Sequence, residues 1–239
     1  MNITIYNEYV HEKTEEECAK VYPEGIHAVL GKFLGENIEN AKFRYFTLDN
    51  VNEELTDEIL DDTDVLVWWG HKAHGEVEDE VAVRVQMHVL GGMGAVFLHS
   101  GHHSKPFKRL MGTTANLRWA EGYKEIIWVA DPTHPVAEGL PEYFTLPIEE
   151  AYGEPFDIPQ PDSTVFMSWY SNGLVFRSGC AFTRGKGKIF FFQPGHEMYP
   201  TYYDENVRKV VTNAVKWACP AQGLERGKIP VKHVKEPVI

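Results

Sequence analysis

The sequence predicts an α/β protein, with a parallel sheet carrying helices on both faces and additional antiparallel strands in the second half of the chain. Three observations predict it. The apolar runs at residues 64–69 and 94–98 are continuous, as suits strands buried on both faces. Segments with helical spacing separate them, which makes βαβ units. Beyond about residue 124, strand-like runs follow one another with only turns and prolines between them.

Residues 3–6 read as the first strand, ended by the polar stretch of residues 7–13. After Pro23, Ile26, Val29, Leu30, Phe33 and Leu34 fall on one helical face, with Gly35 near the end of the helix. Residues 43–48 make a second strand, and Thr56 is a candidate N-cap for a short helix through Leu60. The run at 64–69 stops at Gly70 and His71. Val77, Val81, Val85 and Val89 then keep helical spacing until Gly91-Gly92 breaks it. Residues 94–98 lead straight into His99-Ser100-Gly101-His102-His103.

In the second half, strands are expected at residues 125–130, 164–169, 174–181 and 188–192, with Gly185-Lys186-Gly187 as the tight turn between the last two. Residues 204–218 form a helix capped by Asp204, with Val207, Val210, Val211, Ala214, Val215 and Ala218 on one face. Residues 1–218 therefore read as a single domain. Residues 219–239 read as a polar tail suited to reach a partner subunit, and a homo-oligomer is expected.

The formal charge of −12 over 239 residues, with no basic run, argues against a nucleic-acid partner. No stretch resembles a secretory signal or approaches the roughly 20 apolar residues that span a bilayer, so a cytoplasmic location away from membranes is expected. Cys18, Cys180 and Cys219 are far apart and odd in number, which fits reduced thiols. No nucleotide cofactor is expected.

Ligands of open α/β sheets sit at the carboxyl ends of the strands. The loops expected there carry Asn7, Glu8, His11 and Glu12; His71 and His74; His99, Ser100, His102 and His103; and His196 and Glu197. With His134, placed after the strand that begins at Glu125, they hold eight of the eleven histidines. Imidazole titrates near neutrality and binds zinc when neutral, so the cluster suits acid–base work or a divalent metal, zinc above others. Plainer readings exist for single residues. His74, His88 and His102 suit a surface, His27 and His233 a structural or solvated place, and Glu149-Glu150 an exposed turn. Trp68, Trp69, Tyr152, Tyr199, Tyr202 and Tyr203 are candidates to stack on sugar rings, although core packing accounts equally well for the two tryptophans.

The segments YPEGIH (residues 22–27), WWGHKAH (68–74), GGMGAVFLHSGHHSKPF (91–107), EAYGEPFDIP (150–159), FRSG (176–179) and PGHEMYPTY (194–202), with Tyr6-Asn7-Glu8 and His11-Glu12, resemble those of ThuA-like, trehalose-utilisation proteins. The resemblance covers nearly all of residues 1–218. It implies the class I glutamine amidotransferase-like fold, a flavodoxin-like parallel sheet. Amidotransferases carry a nucleophilic cysteine on a strand-to-helix elbow in a Gly-x-Cys-x-Gly pattern. Laid on residues 97–101, that pattern puts His99 at the cysteine's place, and the later His-x-Glu pair matches His196-Glu197 only loosely. Glutamine hydrolysis through a thioester is therefore not expected.

The resemblance implies disaccharide catabolism next to the formation of 3-keto sugars, with a small-molecule sugar as the partner. A 3-keto group acidifies neighbouring C–H bonds, so the chemistry calls for a base and for a metal or imidazolium at the enolate oxygen. The expected metal ligands are His71, His99 and His196. The expected catalytic groups are His99 and His196, with Glu8 or His11 as a further carboxylate or imidazole and Glu197 as orienter. Trp69, His74, His103, Tyr152 and Tyr199 are the expected sugar contacts. Two other readings stand beside this one: a serine hydrolase using Ser100, and a sugar-binding or regulatory protein without catalysis.

Overall fold

The computed structural model describes residues 1–227. Its strands are β1 (Asn2–Asn7), β2 (Lys42–Phe46), β3 (Val65–Trp69), β4 (Gly94–Leu98), β5 (Arg118–Val129), β6 (Tyr143–Gly153), β7 (Ser163–Tyr170), β8 (Val175–Arg184) and β9 (Gly187–Phe192). They form one nine-stranded sheet in the order β2-β1-β3-β4-β9-β8-β7-β5-β6. The pairs from β2 through β9 are parallel, and those from β9 through β6 are antiparallel. The flavodoxin-like half and the antiparallel extension are thus halves of a single sheet.

The helices are α1 (His11–Thr14), α2 (Glu16–Val21), α3 (Ile26–Asn37), α4 (Val51–Glu54), α5 (Asp57–Asp61), α6 (Asp79–Gly91), α7 (Lys105–Met111) and α8 (Glu205–Ala218). Strand side chains alternate between the two faces. Ile3, Ile5, Val65, Val67, Val96 and Leu98 meet the apolar stripes of α3 and α8. Tyr6, Leu66, Trp68, Ala95 and Phe97 meet α5, α6 and α7 on the other face. Each such side chain contributes roughly 1.5–3 kcal/mol by leaving water. Gly94 lets β4 approach α8, since a Cβ there would lie 2.3 Å from the Ala218 carbonyl oxygen. No helix among the described residues is long and apolar enough to cross a membrane.

The elements differ from expectation in four places. β6 lies where no strand is expected, because Pro147 and Glu149-Glu150 read as loop; β6 is an edge strand, where a missing N–H is tolerated. Glu149 and Glu150 are buried in it, which overturns their reading as an exposed turn. β5 begins at Arg118, several residues early, across register shifts between Ala120 and Glu125. The polar stretch after β1 holds the two short helices α1 and α2. Of the expected tail, residues 219–227 fold back onto this chain: Gly227 N–H donates to the Gly91 carbonyl, and Arg226 bonds the Thr63 carbonyl and the Asp64 carboxylate. The remainder, with His233, lies outside the described residues.

Two interactions give direct tests. Asp204 Oδ1 accepts from Asn206 N–H at 2.9 Å and Val207 N–H at 3.0 Å, capping α8. Asp204→Ala should therefore cost about 1 kcal/mol, seen as a lower urea midpoint at unchanged slope. Glu154 forms a two-pronged pair with Arg177, at 2.7 and 2.9 Å. Burial opposes its charge, but the Arg177 guanidinium outweighs that and holds the carboxyl below its usual range. A depressed carboxyl stabilises the fold above its unfolded pKa and stops doing so as pH falls through the folded value. Glu154→Gln should thus cost about 1 kcal/mol at pH 7, a modest figure because the pair is partly solvated, and progressively less as the pH falls into the acid range; paired urea titrations at neutral and acid pH check this.

Candidate functional site

The carboxyl ends of β1, β3, β4 and β9 share one edge of the sheet. Because β5 runs antiparallel to β7 and β6, that edge also receives the start of β5 and the end of β6. The same reversal sends the end of β5 to the opposite edge. His134 follows it there, packing on Trp217 and Phe190, and so does not join the other histidines as expected.

At the shared edge, His71 follows β3, His99 follows β4, and His196 and Glu197 follow β9. One ligand atom from each of these four lies within 4.8 Å of the others. His71 Nδ1 stands 2.9 and 3.0 Å from the two Glu197 carboxylate oxygens. His11 Nε2 approaches Glu197 at 3.4 Å, and its ring stacks on His71 with centroids 5.1 Å apart. His99 has φ +51°, a left-handed conformation that costs a non-glycine residue roughly 1–3 kcal/mol. That strain sits on the turn leading from β4 toward α7 and aims the ring into the cluster. Its Nδ1 donates to the Gln193 carbonyl at 3.0 Å, and its Nε2 lies 3.1 Å from Glu150 Oε2, near enough for an ion pair but poorly aligned for a hydrogen bond.

Two buried glutamates hold the loops. Glu149 accepts from the backbone N–H groups of Glu150, Gly195 and His196 and from the Thr201 hydroxyl. All four contacts are donors, so the ionised, acceptor-only form is the one the geometry suits. Burial pushes its carboxyl up against that demand. Gly195 has φ +138°, and a Cβ there would lie 2.1 Å from the Tyr202 hydroxyl, so only glycine fits beside His196. Glu8 accepts from the N–H groups of His71 and Lys72 with both oxygens, at 3.0 and 2.9 Å. It positions the His71 loop, with each carboxylate oxygen taken by one backbone donor.

Burial and pairing pull the ionisable groups apart. Burial opposes charge on His99, but the Glu150 carboxylate outweighs it, with Glu149 and Glu197 adding, and raises its pKa to about 9. Burial likewise opposes charge on Glu150 and Glu197, yet His99 lowers the first and His71 brings the second down to about 2. Burial takes His196 down to about 4 and His74 to about 3, each reinforced by neighbouring histidines. Neutral His196 accepts the Met198 N–H through Nδ1 at 3.2 Å.

The cluster opens on a cavity of about 470 Å³, whose wall includes His71, His74, Ser100, Glu150 and Tyr152. A slightly larger cavity, about 530 Å³, runs along α5 and α6, where His88 pairs with the exposed Asp57. His74 Nε2 and Glu150 Oε2, both buried without a hydrogen bond, belong to residues that line the first. Such atoms ordinarily find a partner, so they mark it as the place for a ligand.

His74, His103 and Tyr152 line that cavity as expected sugar contacts would, and Tyr199 flanks His196 with ring centroids 5.2 Å apart. Trp69 does not: it is fully buried, donates its indole N–H to the Gly195 carbonyl at 3.0 Å and stacks behind His99. Trp68 and Tyr202 are also buried. Tyr203 donates its hydroxyl to the Val21 carbonyl. Ser100 pairs its hydroxyl with that of Tyr152 at 2.8 Å and has no imidazole on it among the described residues. Sequence reasoning missed Glu149, Glu150 and Glu121; the last two have carboxylate oxygens within 4.8 Å of a His196 nitrogen. An alternating pattern at residues 143–146 was the available signal for β6.

An open α/β fold with a strained strand-to-turn histidine and carboxylates around it is the class of protein these features define, the class I glutamine amidotransferase-like architecture. The profile of the ThuA family, described as trehalose utilisation, matches residues 2–218, and the chain belongs to that family. No curated protein matches the sequence. Among solved structures, a ThuA-like protein from Parabacteroides merdae is similar at 15% identity, with TM-score 0.69 over 96% of this chain and 92% of that one. A cytoplasmic protein from Salmonella typhimurium is similar at 14% identity, with TM-score 0.60 over 92% and 99%. A glutamine amidotransferase from Thermotoga maritima is similar at 10% identity, with TM-score 0.56 over 91% and 97%. At these identities the likeness is one of fold.

Glu149→Gln tests the loop anchor. The amide turns an NH₂ toward N–H donors and strands at least one of them in the interior, so stability should fall by at least about 2 kcal/mol. Thermal and urea unfolding measure the loss; a change within 0.5 kcal/mol, on the order of an ordinary surface substitution, rules the anchor out.

Proposed function

We propose that this protein is an enzyme of sugar catabolism that works on a trehalose-derived keto-disaccharide by acid–base chemistry, with a divalent cation, zinc above others, held by His71, His99, His196 and Glu197. One observation carries the reading: the ligand atoms of these four side chains, delivered by three strands, come within 4.8 Å of one another. Imidazole and carboxylate are ligands that zinc takes, and its tetrahedral ligands stand about 3–4 Å apart, so a small contraction suffices. His99 Nε2, buried without a hydrogen bond, fits the same donor set. When bound, the cation would polarise a carbonyl or hydroxyl oxygen of the sugar.

The chain's own residues supply the rest. Without a cation, His99 is an imidazolium paired with Glu150. As a ligand His99 would bind through a deprotonated Nε2. Glu150, on the cavity wall, would then be free to serve as a base for the acidified proton beside a keto group. Glu149 and Glu8 keep the His196 and His71 loops in place while this happens. The Ser100 hydrolase reading lacks its base: the hydroxyl beside Ser100 belongs to Tyr152, which burial and then Glu150 keep protonated.

Metal analysis of the purified protein, loaded with zinc and dialysed, should find close to one equivalent, lost in His99→Ala. Glu150→Gln should keep the metal and lose at least about 100-fold in turnover of 3-keto-trehalose. No bound divalent metal, together with unchanged turnover by His99→Ala, overturns the reading. Sugar binding without product over long incubation would make the protein a binder instead.

A further inference from the structure

Trp119 is the most exposed large apolar side chain among the described residues, at 63%, and it lines the cavity that holds the histidine–glutamate cluster. It stands at the start of β5, opposite Tyr152 of β6, on the same cavity as His71. An indole left in water forgoes the burial that normally stabilises an aromatic ring, and an apolar face at a cavity wall is characteristic of a ligand contact. The groups beside it are polar. Asn116 accepts from His103 at 3.3 Å through its amide oxygen, which leaves its NH₂ as a donor. Glu121 brings a carboxylate, an acceptor with two oxygens.

Charge narrows the ligand further. Among the described residues no lysine or arginine lines this cavity, although Lys108 acts on His74 and His103 from nearby, whereas Glu121 and Glu150 both line it. Such a wall disfavours phosphate and carboxylate groups and suits a neutral polyol. A pyranose has the matching shape, with a C–H face to lie on an indole and hydroxyls around its edge to reach Asn116 and His103. The volume, about 470 Å³, falls within the roughly 300–1,000 Å³ of sites that enclose multi-ring ligands, and its two ends differ in kind. Trp119 supplies an aromatic face, while Glu121, whose carboxylate lies within 4.8 Å of ligand atoms of Glu150 and His196, belongs with the ionisable cluster.

We propose that Trp119, with Asn116, forms a subsite for the second ring of a neutral, unphosphorylated disaccharide whose first ring lies at the His71–Glu150 end of the same cavity. The inference rests on the proposed function only for the chemistry at the first ring.

Calorimetry and tryptophan fluorescence with trehalose, 3-keto-trehalose, glucose and a phosphorylated trehalose test it on wild type, Trp119→Ala and Trp119→Phe. The side chain is exposed, so both variants should melt with the wild type. Expected results are disaccharide binding that quenches tryptophan emission, a loss of at least tenfold in affinity in Trp119→Ala, and recovery to within threefold in Trp119→Phe. Glucose affinity should be the same in all three proteins, and the phosphorylated sugar at least tenfold weaker than trehalose. The subsite is overturned by disaccharide affinity unchanged in Trp119→Ala, by equal losses for glucose and disaccharide, by phosphorylated sugar bound as tightly, or by no saccharide binding at all. Trp119-dependent binding without turnover of 3-keto-trehalose would sustain the subsite and sink the chemistry. Turnover with a KM indifferent to Trp119→Ala would do the reverse.

Discussion

Four donors converge on the Glu149 carboxylate, which has no exposure to solvent: the amides of Glu150, Gly195 and His196 and the hydroxyl of Thr201. That convergence ties the antiparallel extension to the loop after β9, and the histidine cluster depends on it. His196 and Glu197 lie on a segment with no regular secondary structure, so nothing but such contacts fixes them. Once Glu197 is fixed, it orients His71 and His11; once His71 is placed, Glu8 holds its backbone from below. A buried carboxylate is costly to desolvate, and here the cost is offset by satisfying backbone donors that would otherwise be sealed without partners. At this edge the buried glutamates thus divide into Glu149 and Glu8, which hold loops, and Glu150, which lines the cavity.

His99 shows how a fold and its chemistry separate. The left-handed residue directly after β4 carries an imidazole, whose Nδ1–H donates to the Gln193 carbonyl. The turn therefore aims an imidazole, not a thiol, into the cluster. Similarity to a glutamine amidotransferase at 10% identity concerns architecture, and the residues decide the reaction.

The antiparallel half does more than widen the sheet. By reversing direction it returns the start of β5 and the end of β6 to the edge where the parallel strands finish. Glu149, Glu150, Tyr152, Trp119 and Glu121 reach the site that way. The parallel half alone would present histidines with neither their anchoring carboxylate nor the β5–β6 wall of the cavity.

Much was legible in the sequence. The continuous apolar runs of β3 and β4, the stripe of α8 with its Asp204 cap, and the strand-end positions of His71, His99, His196 and Glu197 all follow from local pattern, because periodicity and burial are written residue by residue. What was not legible depended on the direction of strands far apart in the chain. Glu149-Glu150 looks like any acidic turn until β6 pairs with β5 and meets the β9 loop. His134 looks like a site residue until β5 is seen to run the other way. Glu8 looks like a free carboxylate until the backbone of a loop 63 residues away closes on it. The sequence by itself determined which strands and helices form and which side chains end the parallel strands. Only the tertiary structure decided which glutamates anchor and which face the cavity, because that choice rests on hydrogen bonds between segments whose meeting no local pattern encodes.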